Sequence, residues 1–413
     1  MPLRALAARR SSARVRRLLL TVVAATWLGV GGYGFYAYVA GYSTYRGFPP
    51  PRDPPGVAGG SVLRQTFYSP ALSAWRSYLV YLPPGYETAV RHRVRFPALY
   101  LLHPPPGRPE DYVGAGASAV RLDELIHRRA VRPFLLVLPF GRSQRFHDDT
   151  EWANAGAGRY EDFVLDTVRA VDRRWATQRD RAGRAIGGIS EGGYGAVNIA
   201  LHHLELFSVA ESWSGYFDQT RTAAFARASP ALLRANSPEA YVGRFARALR
   251  RLPLHAFIYQ GDRDDVPLAS TRRFVRRLRA AGGHVWTAVW PGHHSWRLWH
   301  AHVPLMLRFA DHWLSRPPGR GGSRPTGAGP RERARQRGTS RARQAPHRRR
   351  GRPGNRQACL QVGPAQVSAD GEKGEYWHIP HLPAAVRRAG ARPLPLSLDL
   401  GHVGLPGRSP DRV

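Results

Sequence analysis

A mainly parallel, doubly wound α/β sheet is the fold class that this sequence predicts. Three observations carry the prediction. Apolar, β-rich runs alternate with helix-like runs between residues 61 and 314. A glycine-flanked serine, Gly188-Ile189-Ser190-Glu191-Gly192, stands where one such run gives way to a helical one. Hydrophobic content of 43%, including 11 Trp, supplies enough apolar surface for a sizeable core and excludes global disorder.

Strands are expected at 77–82, 98–102, 134–138, 184–189, 209–213, 256–259 and 285–289. Between them, 160–175 has the helical period, with Phe163, Val164, Thr167, Val168 and Val171 on one face. Segments 193–202 and 270–281 read as further helices. The long helical stretch 219–250 separates two strands and reads as a cap over a pocket. Asn236-Ser237-Pro238-Glu239 offers a helix start inside it.

Both ends differ from this middle. Residues 18–41 carry no charge, and Arg4, Arg9, Arg10, Arg14, Arg16 and Arg17 precede them. About 20 apolar residues span a bilayer, and positive charge stays on the cytoplasmic side. The expected layout is a basic cytoplasmic segment 1–17, a transmembrane helix 18–41 and a linker 42–60. An extracytoplasmic catalytic domain 61–314 and a disordered Arg/Gly/Pro-rich tail 315–413 follow. A cleaved signal peptide is the competing reading. Against it, the apolar run exceeds the usual signal core of about 7–15 residues. In the tail, residues 316–413 hold 20 basic and 6 acidic residues, a net of +14. On this topology the tail never meets cytoplasmic nucleic acid, which is not expected as a partner.

The formal charge of +33 comes from 62 basic and 29 acidic residues, and Lys373 is the one lysine. A skew so complete reads as coding bias more than as selection for a polyanion. The single cysteine, Cys359, excludes an intramolecular disulfide framework and a zinc site built on several thiolates. No metal or other cofactor is expected. No motif specifies an oligomeric state.

The chemistry lies at three strand ends. Gly188-Ile189-Ser190-Glu191-Gly192 follows a strand and opens a helix, the nucleophile-elbow arrangement. Ser190 is the expected nucleophile, and the Glu191 N–H, at the helix start, is aimed at the developing oxyanion. A serine needs a base and the base an orienting carboxylate. Gly261-Asp262-Arg263-Asp264-Asp265 supplies the acid, Asp264 best fitting the turn, with Asp262 and Asp265 as competitors. Pro291-Gly292-His293-His294-Ser295-Trp296 supplies the base, His294 before His293. Adjacent histidines without a third ligand make a poor metal site. Trp152, Trp296 and Trp299 are candidates for the wall of an acyl or aryl pocket.

The run from about 64 to 313 resembles the esterase D-like group of α/β-hydrolases, with feruloyl esterases and mycolyltransferases as relatives. The resemblance rests on Tyr81-Leu82-Pro83-Pro84-Gly85-Tyr86, Tyr100-Leu101-Leu102-His103, Gly187 to Ala196 and Pro291 to Trp296 followed by Trp299. It implies an α/β-hydrolase fold, a Ser190–His294–Asp264 triad and carboxylic-ester hydrolysis on a small-molecule or lipid ester. Acyl transfer to cell-envelope lipids is the alternative, or a catalytically weak envelope-binding protein of the same fold. In one place the chain departs from the group. Where similar esterases have a glycine after the histidine, this chain has His103-Pro104-Pro105-Pro106-Gly107. Prolines have no N–H, which leaves Gly107 or Arg108 to complete the oxyanion site.

Overall fold

The computed structural model describes residues 2–142 and 149–314. The predicted tail at 315–413, with Cys359, lies outside the described residues. Ten strands run in chain order as β1 (Ser61–Ser69), β2 (Ala74–Leu82), β3 (Ala98–Leu102), β4 (Leu135–Pro139), β5 (Asn154–Ala155), β6 (Gly158–Arg159), β7 (Arg184–Ile189), β8 (Val209–Trp213), β9 (His255–Arg263) and β10 (His284–His293). Eight of them form one sheet in the order β1-β2-β4-β3-β7-β8-β9-β10, and β5 and β6 form a small hairpin. From β4 onward the neighbours are parallel. The first two strands are antiparallel to each other, and β2 is antiparallel to β4.

Side chains alternate across this sheet and feed two cores, as the two-residue strand period requires. Tyr78, Val80 and Leu82 face a core shared with helices Tyr160–Arg174, Glu191–His202 and Leu268–Ala280. Leu79 and Tyr81 face the other, closed by helices Ser118–His127 and Trp296–Trp313. Leu99 and Leu101 in β3 against Tyr100 and Leu102 repeat the pattern.

The stretch expected to be one long helical cap is a chain of short turns instead: Ala223–Phe225, Pro230–Ala235, Pro238–Tyr241, Val242–Phe245 and Ala246–Arg251. Pro230 and Pro238 each open a new helix, because proline cannot continue an old one. Ser229 accepts the Leu232 N–H as the cap of one, and Ser237 occupies the cap position of the next, at the predicted start.

The N-terminal helix runs continuously over Pro2–Tyr45, and its Leu18–Phe35 window, of mean hydropathy 1.6, has no residue buried against the protein. Its end is not a loose tether. The Ala115 N–H donates to the Thr44 carbonyl at 3.2 Å, and Arg46 pairs with Asp111 at 3.2 Å.

Between helices Tyr160–Arg174 and Glu191–His202, Glu161 accepts from His202 at 3.0 Å and from His203 at 2.9 Å. Burial pushes the Glu161 carboxyl up, but these two imidazoles outweigh it and hold it at about 2. For His203, burial lowers the pKa, and the facing carboxylates of Glu161 and Glu205 more than reverse this. A depressed carboxyl stabilises the fold above its ordinary value of about 4.5, and that stability is lost as pH falls through about 2. The His203 contribution runs the other way, full below about 6.5 and lost as pH rises through its raised value. Glu161→Gln is therefore expected to cost about 2 kcal/mol near pH 5. Thermal unfolding should show the gap to wild type closing toward pH 2.

Candidate active site

The three loops that carry titratable and nucleophilic groups all leave the carboxyl ends of parallel strands, where open α/β sheets bind ligands. Ser190 follows β7 directly. Its backbone sits at φ 56° and ψ −118°, a conformation that costs energy outside glycine. The turn closes tightly. A Cβ on Gly188 would lie 2.3 Å from the Gly192 carbonyl oxygen, and one on Gly192 would lie 1.9 Å from that of Leu102. Only glycine fits at either place. The Ser190 N–H is tied to the Trp213 carbonyl at 2.8 Å. Glu191 then takes the first helical position, where its amide has no intrahelical acceptor.

Asp264 follows β9, and His294 follows β10. The β9–β10 register shifts between Trp290 and His293, across Pro291 and Gly292, and this bulge turns the histidine loop toward the serine. His294 Nε2 lies 2.9 Å from Ser190 Oγ, and His294 Nδ1 lies 2.8 Å from Asp264 Oδ1. The geometry thus brings together Ser190, His294 and Asp264. The competing residues are placed differently: Asp262 accepts the Gly292 N–H at 2.9 Å, Asp265 is exposed, and His293 lines the cavity beside His294 with its side chain exposed. Burial raises the Asp264 carboxyl, but hydrogen bonds from His294, the Ser214 hydroxyl and the Val266 N–H hold it below the ordinary range. It faces His294 as a carboxylate.

The tryptophans divide. Trp296 and Trp299 line a cavity of about 730 Å³ beside His294, with Pro104 to Gly107 opposite. Trp299 is nevertheless buried: its indole N–H donates to Ser214 Oγ at 3.0 Å, and its ring meets the His294 ring edge-on with centroids 5.0 Å apart. Ser214 in turn donates to Asp264. Trp299→Phe removes the start of this relay, and we expect kcat to fall several-fold while KM holds. Trp152 corrects the pocket expectation. It is fully buried, does not line the cavity, and donates its indole N–H to the His103 carbonyl at 3.1 Å. No residue of 219–250 lines the cavity either.

The proline loop is braced from beneath. The Gly141 N–H donates to His103 Nε2 at 3.1 Å, which leaves the ring proton on Nδ1, 3.2 Å from the Pro104 carbonyl. Burial lowers the His103 pKa to about 4, so the ring stays neutral and keeps that tautomer. Sequence reasoning used His103 only as part of a phrase. Its neighbours in space, Gly141 and Trp152, are distant in the chain, and no local pattern gives the brace away.

Gly107 also departs from expectation. Its N–H donates back to the Pro104 carbonyl at 2.6 Å, and the Arg108 N–H donates to Asp111 at 3.1 Å. Neither amide is left for an oxyanion. The amide of Glu191, with that of Gly192 behind it, lies in the open first turn of the helix that follows the serine.

The Glu191 side chain points into the protein and is buried. Burial first, then the nearby carboxylate of Glu151, push its pKa far upward. Thr150 Oγ1 lies 2.9 Å from the Gly141 carbonyl, to which it donates, and 3.2 Å from Glu191 Oε1. Glu151 accepts from Tyr216 at 2.5 Å and Gln219 at 3.1 Å. A raised carboxyl destabilises the fold progressively as pH climbs from its ordinary value toward its folded one. Glu191→Gln keeps the shape and removes the titration, so thermal unfolding should show it gaining on wild type as pH rises from 5 to 8.

Among the described residues, no group of three or more His, Cys, Asp or Glu is placed to hold a metal ion. The family model Esterase, described as "Putative esterase", matches residues 69–310. The chain belongs to this esterase family. An endo-1,4-beta-xylanase/feruloyl esterase of Xylanibacter ruminicola is 28% identical over 153 residues, covering 36% of this chain and 20% of that protein. An esterase of Mycobacterium tuberculosis is 28% identical over 137 residues, covering 33% and 28%. The matched segments thus span less than a third of the length of either curated relative. A solved ferulic acid esterase superposes with TM-score 0.56 at 24% identity, over 62% of this chain and 99% of that one. An S-formylglutathione hydrolase from Agrobacterium tumefaciens gives 0.52 at 16%, over 62% and 96%. The esterase-family fold is thereby the α/β-hydrolase type, with its mostly parallel sheet.

Proposed function

We propose that the protein is a serine esterase, held at a membrane by its N-terminal helix, with its catalytic domain on the extracytoplasmic side. The observation that carries this is the 2.9 Å and 2.8 Å chain from Ser190 through His294 to Asp264. Ser190 Oγ attacks an ester carbonyl while His294 Nε2 takes its proton. The Glu191 N–H and the helix behind it stabilise the oxyanion. His294 returns the proton to the leaving alcohol, and water, activated by the same imidazole, releases the acid from the acyl-enzyme. Asp264 fixes the imidazole tautomer and offsets its charge. The apolar walls beside His294 suit an ester with an aryl or acyl chain, and feruloyl esterases among the relatives agree with that class. The basic segment before the apolar helix supports the orientation.

The full-length protein in detergent should hydrolyse p-nitrophenyl acetate at the same rate with and without a chelator. A chelator-sensitive rate restored by zinc would contradict the proposal. A second reading, a weak hydrolase that chiefly binds envelope polymer, draws on the proline loop, whose Gly107 and Arg108 amides are occupied; turnover slower than about 10⁻² s⁻¹ on every ester tried would favour it, against a usual range of about 1–10³ s⁻¹.

A further inference from the structure

The end of the N-terminal helix is itself a wall of the catalytic cavity. Tyr42, Arg46, Gly47 and Phe48 line it, facing Pro104 to Gly107 and Trp296. This wall is fastened to the catalytic domain at four points. Thr44 takes the Ala115 N–H, Arg46 pairs with Asp111, and Phe48 stacks on His300 with ring centroids 4.2 Å apart and 7° between planes. At the fourth, a Cβ on Gly114 would lie 2.6 Å from the Thr44 carbonyl oxygen, so the helix end and the segment after the proline loop touch backbone to backbone. His300 reinforces the contact by donating to the Ala115 carbonyl at 2.6 Å.

The uncharged run ends at Gly41, and the helix continues unbroken to Tyr45. The 24 residues of that run rise about 36 Å at 1.5 Å per residue. A bilayer of about 40–45 Å with a core of about 30 Å has a polar layer of roughly 5–8 Å on each face. With that run centred on the core, Tyr42 stands a few ångströms outside it, within the headgroups, the level where aromatic residues collect. The cavity wall and the membrane surface meet at one place, with no flexible spacer between them.

We propose that the site takes its ester directly from the bilayer: the substrate is an acyl ester seated in the leaflet that the N-terminal helix leaves, and its acyl chain enters between Tyr42, Phe48 and the Pro104–Pro106 loop. The proposal rests on the esterase reading above and on the helix spanning a membrane. The acyl carbon forms a bond to Ser190 Oγ as its bond to the alcohol oxygen breaks, and the alcohol leaves with the proton from His294. Water then cleaves the acyl-enzyme, so ester plus water gives fatty acid plus alcohol.

Full-length protein in phosphatidylcholine vesicles tests this with two esters, p-nitrophenyl acetate in the water and p-nitrophenyl palmitate dissolved in the bilayer. The comparison variant carries ten Gly/Ser residues inserted between Gly41 and Tyr42. This leaves Tyr42 to Phe48 in place on the domain but adds a tether with a reach of roughly 17 Å. The expected result is a soluble-ester rate within twofold of wild type and a palmitate rate down about tenfold. Equal palmitate rates would overturn the proposal while leaving the esterase reading intact. Equal loss on both esters would also overturn it, by showing that the helix end acts on catalysis and not on substrate supply. No hydrolysis of either ester by wild type would overturn the esterase reading and the proposal together.

Discussion

Ser190→Ala is expected to lower kcat on p-nitrophenyl esters by at least about 10⁴-fold, with the thermal unfolding midpoint little changed. Removing a triad nucleophile leaves only the catalysis that binding and the oxyanion site supply. The unfolding midpoint should hold because alanine removes one oxygen from a partly exposed side chain and creates no cavity. Alanine also accepts the positive φ no worse than serine does. His294→Ala should fall by a similar factor and the double variant little further, since groups that act as a unit are not additive. Steady-state kinetics on the three variants checks this, and additive losses would mean that serine and histidine act separately.

The second large effect concerns the proline loop. Pro104→Gly with Pro105→Ser places an N–H at position 105, in a loop whose remaining amides are occupied by the Pro104 carbonyl and Asp111. A well-placed oxyanion donor is worth about 2.7–4 kcal/mol, or 10²–10³ in rate. The double variant is therefore expected to raise kcat by up to about 10²-fold and to leave KM nearly unchanged, because the new donor acts on the transition state. Part of that gain is offset by the looser loop, since glycine replaces a stiff residue. The His103 brace beneath the loop, which does not involve the proline rings, limits that loosening. A folded variant that is no faster would contradict the reading that the proline loop lacks an oxyanion donor.

The site was legible where its chemistry is local. A strand, a glycine-flanked serine and a helix are consecutive in the chain, so the elbow could be read from a dozen residues. Asp264 and His294 each lie just beyond a strand end, and strand ends were visible as apolar runs. What escaped depends on contacts between distant residues. The antiparallel β1 is mostly exposed, and Arg64, Gln65 and Thr66 split its apolar residues, so it carries no continuous apolar run to read. Trp152 reads as a pocket wall because it follows a strand in a segment that resembles a substrate-side loop of the family. Only the fold reveals that its ring is spent on holding the His103 carbonyl. The self-bonded turn at Gly107 could not be inferred, since its sequence distinguishes neither a free nor a bonded amide. The broken cap, by contrast, is written in Pro230 and Pro238, of which only Pro238 is read from the sequence as a helix start. The docking of the helix end on Gly114 and Asp111 pairs residues some 65 positions apart, beyond any motif.

The nucleophile is tested most directly by reacting the full-length protein with a fluorophosphonate probe and mapping the adduct by peptide mass spectrometry. An activated serine reacts where ordinary hydroxyls do not. The result expected is one adduct, on Ser190, formed in the wild type and suppressed in His294→Ala. Absence of any adduct on Ser190 in folded protein, or an adduct on another serine alone, would contradict the assignment.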